Sequence, residues 1–325
     1  MKIYTHIDEF KQIKNAVLTI GTFDGVHIGH QKIISRLKEV AQQKGGETVI
    51  LTFFPHPRMI LHPDDLNIKL ISTMDEKAEL MKSLGIDHLI ITPFTRDFSN
   101  LNPQEYIKDI LVEKIGTTHI IIGYDHRFGK DRSGGLAELQ NYASEFGYEV
   151  EEIPEQDIDD VAISSTKIRN ALLSGDVKTA ESFLGYPFHL SGKVIKGDQI
   201  GRTIGFPTAN LFIEESYKLI PSDGIYAVSV DFKSGQLKNK SAKGMAYIGH
   251  RPTINGMSRN IEVNIFDFNE DIYGETIRLN FLKYLRDDQK FNSLNELKEQ
   301  LAKDEVGGRI VGTGRDLSSS HINCK

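Results

Sequence analysis

His27 and His30 stand three residues apart in Gly21-Thr-Phe-Asp-Gly-Val-His-Ile-Gly-His30, between an apolar run and a helical pattern. At a helix start that spacing puts both imidazoles on one face. Gly21, Gly25 and Gly29 let a ligand approach the backbone without Cβ clashes. The free N–H groups and positive end of the following helix suit a phosphate. Two imidazoles there can stabilise charge growing on a transferring phosphoryl group and on its leaving pyrophosphate. Paired surface histidines are often inert, but here strand, glycines, histidines and helix start coincide.

A second constellation lies far downstream. Gly192-Lys-Val-Ile-Lys-Gly-Asp-Gln-Ile-Gly-Arg-Thr-Ile-Gly205 leads into Phe206-Pro-Thr-Ala-Asn210. Gly197, Gly201 and Gly205 suit a flap that covers phosphates through backbone N–H groups. The Thr208 hydroxyl and the Asn210 amide oxygen are hard ligands fit for Mg²⁺. Pro-Thr-Ala-Asn is poor strand material in its middle, so sheet propensity does not account for it. Further on, Ile261-Glu-Val-Asn-Ile-Phe-Asp-Phe268 precedes Asp271-Ile-Tyr-Gly274. Alternation puts Glu262 and Asn264 on one strand face and Ile261, Val263 and Ile265 on the other.

Two common phosphate fingerprints are missing. No Gly-x-Gly-x-x-Gly follows a strand, and Gly123-Tyr-Asp-His-Arg-Phe-Gly129-Lys130 is no P-loop. It has one residue too many between its glycines, and Asp131 stands where Ser or Thr holds magnesium.

The elements around these residues divide into two textures. Strands are expected at Val17–Ile20, Thr48–Phe54, His88–Thr92, His119–Gly123 and Tyr148–Ile153. They alternate with helices at Gln31–Lys44, after the Thr73/Glu76 capping box, after Asn102-Pro103, and at Leu136–Phe146. That alternation predicts a parallel sheet with helices on both faces and ligands at the strands' carboxyl ends. A helical stretch from Ser165 to Leu184 closes this half. After residue 186 the pattern becomes strands joined by Gly/Asn/Asp-rich turns: Phe188–Ile195, Thr208–Ile213, Ile225–Phe232, Ala242–Gly249, Ile261–Phe266 and Thr276–Leu285. The expectation is an antiparallel β-barrel or sandwich. One last helix opens at a Ser293/Glu296 capping box. Val306–Lys325 shows no period and no cap, and is expected to be a non-native or disordered tail.

The 325 residues suffice for two cores. The net charge of −6 with no basic block argues against nucleic acid or an anionic membrane as the main partner. The single cysteine, Cys324, forms no intrachain disulfide and no cysteine-based zinc site. Met1–Phe10 lacks the apolar centre of a signal peptide, and no apolar run has a spanning length. A cytoplasmic protein, monomeric or weakly homo-oligomeric, is expected.

Residues 21–30 resemble the signature of the nucleotidyltransferase superfamily. Phe54-Pro-His-Pro-Arg58, Gly123-Tyr-Asp-His-Arg-Phe-Gly129 and Ile163-Ser-Ser-Thr-Lys-Ile-Arg169 resemble the adenylyltransferase half of the prokaryotic bifunctional FAD synthetases. Pro-Thr-Ala-Asn with the Glu262 segment resembles a riboflavin kinase, so the resemblance covers residues from about 12 to 304 in family order. It implies a Rossmann-like α/β nucleotidyltransferase domain over 1–185 and a riboflavin kinase barrel with a C-terminal helix over 186–305. It also implies two reactions: riboflavin and ATP give FMN, then FMN and ATP give FAD and pyrophosphate.

By the same resemblance, Gly21, Asp24, His27, His30, Ser164, Thr166 and Arg169 meet ATP, and Pro55, His56, Asp125 and Arg127 face FMN. In the kinase half Gly197, Gly201, Gly205, Thr208 and Asn210 meet ATP, with Thr208 and Asn210 on Mg²⁺. Glu262 becomes the general base for the riboflavin hydroxyl, and Gly249–Arg259 becomes a second flap near the flavin. An adenylyltransferase for phosphopantetheine or nicotinamide mononucleotide would share the histidine motif but not the second half. A non-catalytic flavin binder would need neither histidine pair nor carboxylate.

Overall fold

Ala16-Val-Leu-Thr-Ile20 is apolar enough to lie at the centre of a sheet, and all five residues are buried. This strand, β2, belongs to a six-stranded parallel sheet of order β1-β4-β3-β2-β5-β6 in the computed structural model. The structure describes residues 1–65, 68–154, 163–197, 200–253 and 256–311, without the side chains of 200 and 251–258. The strands are β1 (Lys2–Tyr4), β2 (Ala16–Ile20), β3 (Glu47–Phe53), β4 (His88–Thr92), β5 (Thr117–Gly123) and β6 (Glu149–Ile153). The short edge strand β1 was not expected; three residues carry too little pattern to be read.

Helices cover both faces of the sheet. On one, α1 (Ile28–Lys44) and α2 (Met74–Ser83) bury Ile34, Leu37 and Met81 against Val17, Ile50, Leu89 and Ile121. On the other, Ile107, Leu111 and Leu139 pack on Leu18, Leu51, Ile90 and Ile120. These come from α3, which starts as Pro103–Glu105 and continues as a π-helix over Tyr106–Lys114, and from α4 (Leu136–Phe146). Alternate residues of each strand thus serve opposite faces. The Thr73/Glu76 capping box forms, and Asn102 and Glu105 exchange the same pair of bonds at 2.9 Å.

Contacts group the chain into two compact units, Met1–Ser165 and Thr166–Lys325. The expected helical stretch from Ser165 to Leu184 is two helices, α5 (Ser165–Leu173) and α6 (Val177–Leu184). They are separated at Gly175, after which the Asp176 carboxylate caps α6.

The second unit is a closed barrel of order β10-β11-β8-β7-β12-β9. Its strands are β7 (His189–Ile195), β8 (Ala209–Phe212), β9 (Gly224–Phe232), β10 (Ser241–Thr253), β11 (Gly256–Ile265) and β12 (Thr276–Arg286). All its pairings are antiparallel, and β9–β10 closes the ring. Gly192 belongs to β7, paired with Ile277, so the glycine-rich flap starts only after Ile195. The expected second flap, Gly249–Arg259, forms the outer ends of β10 and β11, with residues 254–255 outside the described set.

The last helix, α7, runs Leu294–Ile310 and so includes the first residues of the segment from Val306. Gly307-Gly308 reads as a helix breaker, at about 1 kcal/mol per glycine. Here a Cβ on Gly308 would stand 3.0 Å from the Phe266 ring, so the bare backbone permits close packing. Arg309 continues the anchoring, with its guanidinium over Phe266 and bonded to Asp267 and Glu305. Ser293 caps α7, but Glu296 returns its bond to the Asn292 N–H, so the reciprocal box is not closed. Residues 312–325 lie outside the described residues.

Asp304, buried on α7, takes three hydrogen bonds from Arg286 of β12 and one from Gln300. Removing one partner of such a pair strands a charge, typically at a cost of about 3–5 kcal/mol. Asp304→Ala should therefore destabilise the barrel unit by about 3 kcal/mol in denaturant titration of the full chain. A loss below about 1 kcal/mol would show that this pair does not hold α7 in place.

Candidate active sites

The loop from β2 to α1 leaves the sheet beside its switch point, because β2 lies between β3 and β5. Ligands collect there in open α/β sheets. The loop is bent against its preferences: Phe23 has φ 46° and the β-branched Val26 φ 38°. Left-handed backbone at such residues costs of order 1–3 kcal/mol each and persists only where neighbours impose it. The neighbours are identifiable. Asp24 Oδ1 accepts the Ile71 and Ser72 amides at 2.9 and 3.3 Å, and the Gly25 N–H donates to Ser72 Oγ at 3.1 Å. The Ser165 hydroxyl donates to the Asp24 carbonyl at 3.0 Å. Asp24, expected at the ATP, uses its buried carboxylate to staple the loop from beneath.

The two histidines end up together. His27 is the N-cap of α1, and its Nδ1 accepts the His30 N–H at 3.4 Å. The rings stack with centroids 3.7 Å apart and 18° between planes. Because His27 Nδ1 is an acceptor, the proton of its neutral ring lies on Nε2. His30 Nδ1 is buried with no hydrogen-bond partner. Protonating that ring would place an N–H where nothing accepts it, a costly outcome. Burial first, then the nearby His27 and Lys77, hold the His30 ring well below the usual histidine range. The His30 ring is therefore a neutral Nε2–H donor stacked on His27 at a helix N-terminus, a combination suited to an anionic oxygen.

Gly21, Asp24, His27 and His30 are brought into one loop, and Ser164 immediately precedes the Ser165 that joins it. Thr166 and Arg169 lie on α5 in the second unit. Pro55 and His56 follow β3, where buried His56 caps the turn Pro57–Leu61 through the Arg58 N–H. Asp125 and Arg127 are exposed on the turn after β5. Thus the carboxyl ends of three adjacent strands carry expected residues.

Sequence reasoning missed a wall of rings at the same end of the sheet. Phe53 meets Phe94 and Phe98, Phe98 meets Tyr106, and Tyr106 stacks on Phe128 at 4.9 Å. Two polar atoms in this wall, Tyr106 Oη and His126 Nε2, are buried and unpartnered among the described residues. Burial, helped by Arg127 and Arg132, pushes His126 down to about 4. Aromatics at strand ends read as ordinary core, so only the three-dimensional grouping reveals them.

In the barrel unit, Glu262 of β11 pairs in register with Asn210 of β8. Thr208 Oγ1 donates to Glu262 Oε2 at 2.8 Å, and Asn260 Nδ2 to Oε1 at 2.6 Å. With its proton directed to the carboxylate, Thr208 keeps lone pairs available to a cation. A Cβ on Gly197 would stand 2.2 Å from Asn210 Nδ2, so only glycine lets the flap close down on that amide. Gly201 lies in the short turn Ile200–Thr203, Gly205 follows it, and the Phe206 N–H bonds back to the Gly201 carbonyl. These hard oxygens, beside a close-packed backbone, fit a magnesium ion. A cavity of ≈ 210 Å³ adjoins them, lined by Arg202, Thr208, Phe268, Asp271 and Tyr273 among others.

Nitrogen-resolved imidazole spectra should find His30 as the neutral Nε2–H tautomer well below the pH at which an ordinary histidine titrates. A titration midpoint near the ordinary 6.5 would contradict the buried, acceptor-free Nδ1.

A family model described as FAD synthetase matches residues 9–167, and one described as riboflavin kinase matches residues 184–309. A bifunctional riboflavin kinase/FMN adenylyltransferase of Listeria monocytogenes is 40% identical over 94% of this chain and 96% of its own. The Escherichia coli K12 protein of the same description is 37% identical over 95% and 97%. A crystal structure described as that of a macrolide-efflux protein from Streptococcus pneumoniae superposes with a TM-score of 0.85 at 34% identity. It covers 95% of this chain and 98% of that one.

Proposed function

This chain belongs to the bifunctional riboflavin kinase/FMN adenylyltransferase family, and from that premise we propose how its two halves divide the work. The enzyme phosphorylates riboflavin to FMN and adenylylates FMN to FAD. The single observation that carries the division is that each unit holds its own phosphate-directed arrangement, unlike the other in chemistry.

The barrel takes the kinase step. A primary hydroxyl is neutral, so its attack needs a base. Glu262 accepts the proton from the riboflavin 5′-hydroxyl as that oxygen bonds the γ-phosphorus of ATP and ADP leaves. The bonds from Thr208 and Asn260 fix the carboxylate in the plane where this transfer occurs. Gly197, Gly201 and Gly205 let backbone N–H groups approach the phosphates. Thr208 and Asn210 would hold Mg²⁺, which when bound offsets the charge of the phosphate oxygens.

The sheet unit takes the second step. FMN phosphate is already an anion and needs no base. Its oxygen bonds the α-phosphorus of ATP, and the bond to pyrophosphate breaks. The Nε2–H groups of His27 and His30 and the first amides of α1 stabilise charge at the reacting phosphorus and on the leaving pyrophosphate. Gly21 lets ATP approach the end of β2, and Ser164 adds a hydroxyl for its phosphates. Pro55, His56, Asp125 and Arg127 border the FMN, whose ring system packs against the aromatic wall of Phe53, Phe98, Tyr106 and Phe128. The unpartnered Tyr106 and His126 atoms meet the polar edge of the isoalloxazine.

The enzyme works in the cytoplasm as a monomer or weak homo-oligomer, with no nucleic-acid partner, in keeping with its acidic balance. The efflux description belongs to the Streptococcus protein. Among the described residues here, no helix is long and apolar enough to cross a membrane.

Assays with Mg-ATP separate the halves. Glu262→Gln should lower FMN formation from riboflavin by about a hundredfold or more and leave FMN-to-FAD conversion within about twofold. His30→Ala should do the reverse. Equal loss of both activities in either variant would refute the division.

A further inference from the structure

Lys77 is a lysine where the packing would accept a hydrocarbon. It lies on the first turns of α2 and is 2% exposed. Its ammonium donates to the Thr22 carbonyl at 2.6 Å, an oxygen that also accepts a 3.4 Å bond from Thr52 Oγ1. A buried cation is unfavourable unless its charge is compensated, and a methionine of similar length would carry no such penalty. Two charged or titratable groups face it. Asp24, from the loop, favours the ammonium form; His30, from α1, is kept uncharged in part by that ammonium. Burial dominates and lowers Lys77 itself to about 8.

The segment carrying Lys77 also carries the other loop anchors. Ile71 and Ser72 hold the Asp24 carboxylate, Ser72 Oγ holds the Gly25 N–H, and Lys77 holds Thr22. Together these bonds hold the residues on both sides of the strained Phe23, and one reaches Gly25, the residue before Val26. We propose that Lys77 is a positioning residue for adenylyl transfer, whose ammonium fixes the Thr22–Gly25 turn that leads into the paired histidines. This rests on assigning that reaction to the β2–α1 loop. Lys77 touches no reacting atom; it acts through the turn and through His30.

Full-length enzyme carrying Lys77→Met or Lys77→Arg tests it, with riboflavin phosphorylation in the same preparation as the control for folding. In the native enzyme, FAD formation should fall as pH rises through about 8, where Lys77 loses its proton. Lys77→Met should lower kcat for FMN adenylylation by about thirtyfold with the KM for ATP within about threefold. It should also lose the limb near pH 8, raise the His30 titration midpoint, and spare FMN formation. Lys77→Arg keeps its charge at every accessible pH, so it should retain more activity than Lys77→Met and show no limb there. If the methionine variant unfolds its unit, the arginine variant decides, since a limb persisting near pH 8 overturns the proposal. Native kcat and pH profile in Lys77→Met overturn it as well. If His30→Ala is also harmless, the loop assignment falls and takes the proposal with it. If His30→Ala is crippled while Lys77→Met is not, the proposal alone fails.

Discussion

The Asp24 carboxylate bonded to the Ile71 and Ser72 amides is the contact on which the sheet unit's chemistry depends. Backbone N–H groups can gather around an anion only if the chain turns sharply between strand and helix. That turn forces Phe23 and Val26 into left-handed backbone. Within the loop the Val26 N–H donates to the Phe23 carbonyl, and the turn is also held from outside, by the residues that open α2 and by Ser165 at the unit's end. The histidines inherit their arrangement from it: once the turn is fixed, His27 caps α1 and the His30 ring stacks on it.

In the proposed division the barrel solves a different problem. Its nucleophile must lose a proton, and the Glu262 carboxylate stands where two donors define its orientation. Thr208 links that carboxylate to the proposed cation site, and the absence of a side chain at Gly197 lets the flap reach Asn210. On this proposal one unit relies on neutral donors and a helix end, the other on a carboxylate acceptor and hard oxygens. The difference follows from the charge each nucleophile carries before reaction. Two reactions with such unlike requirements are poorly served by one pocket, which gives a physical reason for two units in one chain.

Much of this was legible in the sequence because it depends on local signals. The apolar run at Val17–Ile20, the alternation at Ile261–Ile265, the Thr73/Glu76 cap and the glycine spacing all reflect forces acting within a few residues. What escaped depends on distant partners. Lys77 looks like any polar residue of an amphipathic helix until Thr22 and Asp24 are seen beside it. The rings of Phe53, Phe98, Tyr106 and Phe128 come from four separate elements. Gly307-Gly308 signals a helix end locally, whereas packing on Phe266 makes it a helix interior. Asp24 shows how a motif hides a partner: its position suggested ligand contact, and its carboxylate also holds the loop through amides 47 and 48 residues away.

The most direct measurement of the central claim is a calorimetric titration of the full-length chain with magnesium and a non-hydrolysable ATP analogue, without flavin. Two equivalents should bind per chain, and Gly197→Val, which drives a side chain into Asn210, should remove one of them. A single equivalent in the native chain, or loss of both in that variant, would contradict an enzyme built from two independent nucleotide sites.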